Sequence, residues 1–284
     1  MSKIDALGLV KRAQQGGYAV GGFNIHNPET TQALLMAAQQ ANAPVFMQVG
    51  RAIVPHMGLV EAFKMTKREL EKFEVEAPIH LDHGTYEEVF EAIKLGFDSI
   101  MFDGSHLPFE ENIKRTKHVV EVAHSFGIPV EAELGKIPDA AESIDWADYY
   151  TKADEAERFV QETGVDLLAI SAGVMHGVTS VTPQPLAISL VEEIRDRTNI
   201  PLVLHGASGV PVNELQQAVG AGVHKLNADT DLRHAFRAGI ERVFALGDRQ
   251  LEEAMAEARS LMVAATIEKM EQYGCAGKSQ LVSN

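Results

Sequence analysis

The stretch TYEEVFEAIKLGFDSIMFD, residues 85–103, holds an amphipathic segment, a glycine at position 96 and then an apolar run, Ser99 to Asp103. A glycine placed this way suits the left-handed turn just past a helix end, so the stretch reads as one helix feeding one strand. Gly127, Gly164 and Gly222 punctuate the chain in the same way. Working outward from these joints gives eight candidate strands: Ala19 to Asn24, Val45 to Gln48, Ile79 to His83, Ser99 to Asp103, Pro129 to Leu134, Leu167 to Ser171, Leu202 to His205 and Val223 to Asn227. Helical patterns lie between them, among them Pro28 to Gln40, with Asn27 as N-cap and Pro28 at the first helical position. Eight alternations predict an α/β fold of the (β/α)8 barrel type, although the same alternation also fits a doubly wound sheet.

The length of 284 residues matches one such barrel, and residues 1–284 are read as a single domain. Two further helical stretches follow the eighth strand, Arg233 to Leu246 and Leu251 to Met270. Packing on the protein's own barrel is the favoured reading for them, with an oligomer contact as the functional alternative.

A formal charge of -15 repels nucleic acid and anionic membranes, which leaves a small-molecule enzyme as the expectation. An anionic substrate then needs local help from a metal, helix N-termini or placed cations. Cys275 is the only cysteine, which excludes an intrachain disulfide and a cysteine-based zinc site and fits a reducing cytoplasm. Neither a signal peptide nor a run of membrane-spanning length is evident, so a soluble, cytoplasmic protein is expected.

Strand ends meet at one face of a barrel, and here they are polar: Asn24, Gln48, Asp82 and His83, Asp103, Glu131 and Glu133, Ser171 with His176 beyond it, His205, and Asn227 with Asp229. Alone, each has a structural explanation. As a set, buried acids and imidazoles at one mouth require a metal or a substrate to satisfy them. Three histidines and a glutamate from strands three, five, six and seven suit a zinc ion with one position open to substrate. His118, His124 and His234 fall in helical stretches; His26, His56 and His106 lie in loops and stay ambiguous. The segments His205-Gly206-Ala207-Ser208-Gly209 and Asn227-Ala228-Asp229-Thr230-Asp231 sit where barrels commonly hold phosphate, after strands seven and eight.

Taken together, Gly22-Phe23-Asn24-Ile25-His26-Asn27, His80-Leu81-Asp82-His83-Gly84, Asp103-Gly104-Ser105-His106, Glu131-Ala132-Glu133-Leu134-Gly135, His176-Gly177, the segment from Leu204 to Gly209 and Lys225-Leu226-Asn227-Ala228-Asp229-Thr230 resemble the class II, metal-dependent ketose-bisphosphate aldolases. The resemblance spans nearly the whole chain and includes the fructose- and tagatose-bisphosphate aldolases. It implies zinc on His83, His176 and His205, with Glu133 as a ligand in an alternative metal position and a monovalent cation as a further cofactor. Asp82 would be the acid/base for the hydroxyl proton during carbon–carbon cleavage, and Asn227 would orient the enediolate. Gly177, Gly206, Ser208 and Thr230 would cradle the phosphate of dihydroxyacetone phosphate; Asn24 and Asp229 would hold substrate hydroxyls. A homodimer or homotetramer is expected.

Two departures from the family pattern stand out. The loop after Gly135 reads Lys136-Ile137-Pro138-Asp139-Ala140-Ala141-Glu142, so Glu142 is the nearest substitute for the loop acid that exchanges a carbon-bound proton, with Asp139 as another. Where many fructose-bisphosphate members carry a serine two residues after the strand-two glutamine, Gln48-Val49-Gly50-Arg51 stands instead. Arg51 is therefore expected to meet a distal anion other than a standard 6-phosphate, such as a sulfonate. Rival readings are a Schiff-base aldolase using Lys225, a sugar-phosphate-binding or regulatory barrel, and, more weakly, a metal-dependent hydrolase.

Overall fold

The computed structural model describes residues 4–136, 146–175 and 185–280. Helix α1 (Ala6–Gly16) precedes β1 (Val20–Asn24), followed by α2 (Pro28–Gln40), β2 (Val45–Val49), α3 (Ile53–Met57), α4 (Leu59–Leu70), β3 (Ile79–Gly84), α5 (Tyr86–Leu95), β4 (Ser99–Phe102), α6 (Phe109–Ser125) and β5 (Val130–Leu134). A 3-10 turn at Trp146–Asp148 then leads to α7 (Ala153–Thr163), β6 (Leu167–Ile170), α8 (Ile188–Thr198), β7 (Leu202–Leu204), α9 (Val212–Ala221), β8 (Val223–Ala228), α10 (Thr230–Phe244) and α11 (Leu251–Gln272).

Every expected strand is present, with ends within one residue of those read from the sequence. Each pairs in parallel with its sequence neighbour, and β8 returns to β1 with Gly22 opposite Asn227. That last pairing decides for a closed barrel over a doubly wound sheet. Both faces of the strands are buried, the inner against one another and the outer against helices, as a parallel barrel requires.

The punctuation has local causes. Thr85 accepts from the backbone of Glu88 while Glu88 bonds back, a capping box that starts α5, and Gly96 ends that helix in the left-handed region at φ 87°. Asn27 and Pro28 start α2 as expected. Gly222 closes α9 at φ 128°, ψ 8°, beyond the left-handed helical well that its position suggested.

The C-terminal helices pack on their own barrel. α10 starts three residues earlier than expected because β8 runs into it through the single residue Asp229. Gly239 lets α10 lie against the backbone of Ala258 in α11, where a Cβ would have no room. α11 also covers α2, with Arg259 Nη1 donating to Gln32 Oε1 over 2.7 Å. Below the barrel, α1 buries Leu9, Val10 and Ala13. Among the described residues no helix is long and apolar enough to cross a membrane.

Candidate active site

At the mouth formed by the strand C-termini lies a cleft of about 260 Å³, bordered by Asp82 and His83 of β3, His205 after β7 and Asn227 of β8. Strand geometry alone would send Asp82 and His83 to opposite faces. The chain avoids this with a break in pairing: β3 and β4 run in register at His80–Ser99 and Leu81–Ile100, then slip so that Gly84 meets Phe102. Within the slip His83 takes φ 51°, a left-handed conformation that costs a non-glycine residue about 1–3 kcal/mol. It is secured by His83 Nδ1 against Asp103 Oδ2 at 2.7 Å and by the backbone N–H of His83 against Met101 Sδ at 3.4 Å. As a result, potential ligand atoms of Asp82, His83 and His205 lie within 4.8 Å of one another, and so do those of His83, Asp103 and Glu133.

His205 is held from below. Its Nε2 lies 2.9 Å from Glu131 Oε1, which leaves Nδ1 on the side of Asp82 Oδ1, 3.9 Å away. The His83 and His205 rings meet edge to face with centroids 4.6 Å apart, and Asn227 Nδ2 rests nearly equidistant from the two His205 nitrogens, at 3.2 and 3.1 Å. Asn24 Nδ2 donates to Asp82 Oδ2 over 3.1 Å.

Burial pushes the Asp82 carboxyl up, but the nearby charges of His83, His205 and Lys225 and the Asn24 hydrogen bond outweigh it and hold Asp82 below its ordinary range. Burial would lower His83; the Asp82 charge, the Asp103 hydrogen bond and Glu133 instead raise it to about 9. Glu133 is pushed up to about 8 by burial and by the charge of Asp103. Asp103 is held down: burial works against its charge, but the hydrogen bond from His83 prevails.

Two buried carboxylate oxygens here, Asp82 Oδ1 and Glu133 Oε2, have no hydrogen-bond partner among the described residues. Buried acceptors without donors, set beside imidazoles, are the nitrogen and oxygen donor set that a divalent cation such as zinc satisfies. The residues present therefore fit the metal that the sequence implied. Of the expected ligands, the structure brings His83 together with His205 in one group and with Glu133 in another; His176 and Gly177 lie outside the described residues, one and two positions beyond Met175, which lines the cleft. Glu142 and Asp139 also lie outside them.

The two phosphate-type loops lie side by side and are tied together. Ala207 N–H donates to Asn227 O over 2.9 Å, and Asp231 N–H donates to Ser208 Oγ over 3.3 Å. Gly206, Ser208, Asp229 and Thr230 all border the cleft. Asp229 is spoken for on both oxygens, by His26 Nε2 at 2.8 Å and Arg233 Nε at 2.7 Å, and Asn24 is engaged with Asp82. Arg51 borders the cleft too, is exposed, and forms no ion pair among the described residues.

Lys225 does not border the cleft. It is fully buried beneath it with Nζ 2.8 Å from Glu131 Oε2, out of reach of a substrate carbonyl, which removes the structural basis for the Schiff-base reading. Sequence reasoning placed Glu131 and Asp103 at strand ends but gave them no role, and left His26 ambiguous. Each proves to hold another polar side chain in place. The one available signal was the spacing Glu131-x-Glu133, which puts two carboxylates on the same face of a strand.

Residues 5–278 match the family described as fructose-bisphosphate aldolase class-II. A fructose-bisphosphate aldolase of Geobacillus stearothermophilus is 37% identical, with 98% of this chain and 99% of that protein covered. A sulfofructosephosphate aldolase of Alkalicoccus urumqiensis is 36% identical, with 99% of each chain covered. The crystal structure of the YdjI aldolase from Escherichia coli K12 superposes with a TM-score of 0.86 at 31% identity, covering 97% of this chain and 99% of that one.

Proposed function

Because the chain belongs to the class II fructose-bisphosphate aldolase family and is thus a lyase acting on a ketose phosphate, we propose that it reversibly cleaves its ketose to dihydroxyacetone phosphate and an aldehyde whose distal anion is not the ordinary phosphate. The observation that carries the cleavage chemistry is the cluster of Asp82, His83 and His205, with Asp82 Oδ1 buried and lacking a hydrogen-bond partner among the described residues.

His83, His176 and His205 would hold zinc, with Glu133 and Asp103 framing an alternative position. When bound, the ion supplies a Lewis acid for the negative charge that develops next to the broken bond. Asp82, anchored through Oδ2 by Asn24, takes the proton from the substrate hydroxyl. That carbon becomes the aldehyde, and the electron pair of the broken bond passes to the ketone fragment as an enediolate. Asn24 keeps Asp82 Oδ2 occupied so that Oδ1 is the oxygen that receives the proton. Asn227, lying against His205, orients the enediolate. Gly206, Ser208 and Thr230, with Gly177, cradle the phosphate by backbone N–H and hydroxyl groups near the start of α10. Glu142 is assigned the exchange of the carbon-bound proton. Asp229 aligns substrate hydroxyls from its place between His26 and Arg233. The working form is a homodimer or homotetramer, with a monovalent cation as a further cofactor.

Arg51 supports the choice of distal group. Its guanidinium has no carboxylate partner among the described residues and offers a planar fork to a singly charged, three-oxygen group such as a sulfonate. The test is a panel of ketose phosphates with different distal groups, assayed with zinc. A clear preference for a sulfonate or other variant anion is expected; equal turnover of fructose bisphosphate, tagatose bisphosphate and every variant would remove the distal-group assignment.

A further inference from the structure

Beneath the cleft lies a charged layer that the roles above leave unused. Glu131, Lys225 and Gln48 are 1%, 0% and 0% exposed. Glu131 Oε1 lies 2.9 Å from His205 Nε2, and Glu131 Oε2 lies 2.8 Å from Lys225 Nζ. With its amide oxygen toward β8 and its nitrogen toward β1, Gln48 accepts from Lys225 Nζ at 3.1 Å and Asn227 Nδ2 at 3.0 Å and donates to Asn24 Oδ1 at 3.0 Å. The ammonium also rests 5.5 Å from the ring centroid of Phe46.

We propose that Glu131 is a positioning residue that fixes the tautomer of the metal ligand His205, and that Lys225 is the buried counter-charge that keeps Glu131 in place. The inference rests on the proposed role of His205 in holding zinc. A carboxylate only accepts hydrogen bonds, so the 2.9 Å contact requires a proton on His205 Nε2. A neutral imidazole carries one such proton, and its lone pair is then on Nδ1, the nitrogen on the Asp82 side of the ring. The opposite tautomer would present an N–H where a cation needs a lone pair.

A carboxylate this deep is strongly disfavoured without a partner. Lys225 supplies one, and its remaining donor capacity goes to Gln48 and the face of Phe46. The lysine found at a strand end in an aldolase barrel is thus a structural cation here. Through Gln48 the same layer reaches Asn227 and Asn24, and through Asn24 it reaches Asp82. The ligand His205 and the acid/base Asp82 are registered by one buried network.

The experiment compares wild type with Glu131→Gln and with Glu131→Gln/Lys225→Met, which removes both buried charges together. Zinc affinity is measured by chelator competition, the visible spectrum of the cobalt-substituted proteins is recorded, and the ring nitrogens of His205 are assigned by 15N NMR in zinc-loaded wild type. Expected are a loss of zinc affinity of about 10- to 100-fold in the variants, an altered cobalt spectrum, and His205 coordinated through Nδ1 with Nε2 protonated. A folded variant with wild-type zinc affinity and cobalt spectrum overturns the proposal. So does coordination through Nε2 in wild type, a result that needs no variant to fold. If wild type itself takes up no zinc, the metal-dependent reading falls and this proposal falls with it.

Discussion

Asn24 Nδ2 donates to one oxygen of Asp82 over 3.1 Å, while the other oxygen, without a hydrogen-bond partner among the described residues, stands 3.9 Å from Nδ1 of His205. The carboxylate is thereby divided into an anchored side and a working side. Asp82→Ala is expected to lower kcat for ketose cleavage by about 10²- to 10⁴-fold, the usual contribution of a placed acid/base, while zinc content stays at the wild-type level. Parallel metal analysis and steady-state kinetics check this. Loss of metal along with activity would make Asp82 a ligand instead.

His83 and Glu133 carry raised values of about 9 and about 8, against 6.5 and 4.5 for the free groups. Between pH 6.5 and 8 the folded, metal-free protein therefore binds more protons than the unfolded chain. The stability from this source is present in full below the unfolded values and is lost as pH rises through the folded ones. The Tm of the metal-free protein should fall across that window. Zinc competes with the same protons, so its affinity should climb by about tenfold per pH unit for each proton displaced. Melting curves and zinc titrations from pH 6.5 to 8 give both slopes; a flat pair of profiles would show that the cluster does not titrate there.

Arg51→Ser removes the guanidinium that borders the cleft. A hydrogen bond from a charged group is worth about 1.5–3 kcal/mol, so kcat/KM for a substrate with a distal anion should drop by about 10- to 100-fold. A substrate with an uncharged distal group should be nearly unaffected. Equal losses on both would place Arg51 elsewhere in the cycle.

Gly206 sits at φ 67°, and a Cβ there would collide with the backbone oxygen of Met175. Gly206→Ala is expected to lower stability by more than about 1 kcal/mol and to raise KM through the displaced phosphate loop. Thermal unfolding and kinetics test the two parts separately, and an unchanged Tm would contradict the crowding seen here.

The barrel was legible because its signals are local: Gly96 after an amphipathic helix, Asn27-Pro28 before one, and apolar runs of strand length. The site was legible in its ends of strands but not in its joints. Nothing in Asp82-His83 announces that His83 leaves the strand conformation, since the slip is secured by Met101 in β4 and by Asp103 just past its end. Lys225 looked available to a substrate because a strand-end lysine carries no sign of depth; it is buried and pairs with Glu131, 94 residues earlier. Short α3 was also missed, since five residues are too few for periodicity to register.

The most direct test of metal-dependent cleavage is to strip the protein with a chelator and follow release of dihydroxyacetone phosphate from a ketose phosphate as zinc is returned, with a parallel borohydride-treated sample. The account predicts loss of release on stripping, recovery as zinc is restored, and no borohydride-stable substrate adduct. Undiminished release from metal-free protein, or an adduct trapped on Lys225, would contradict it.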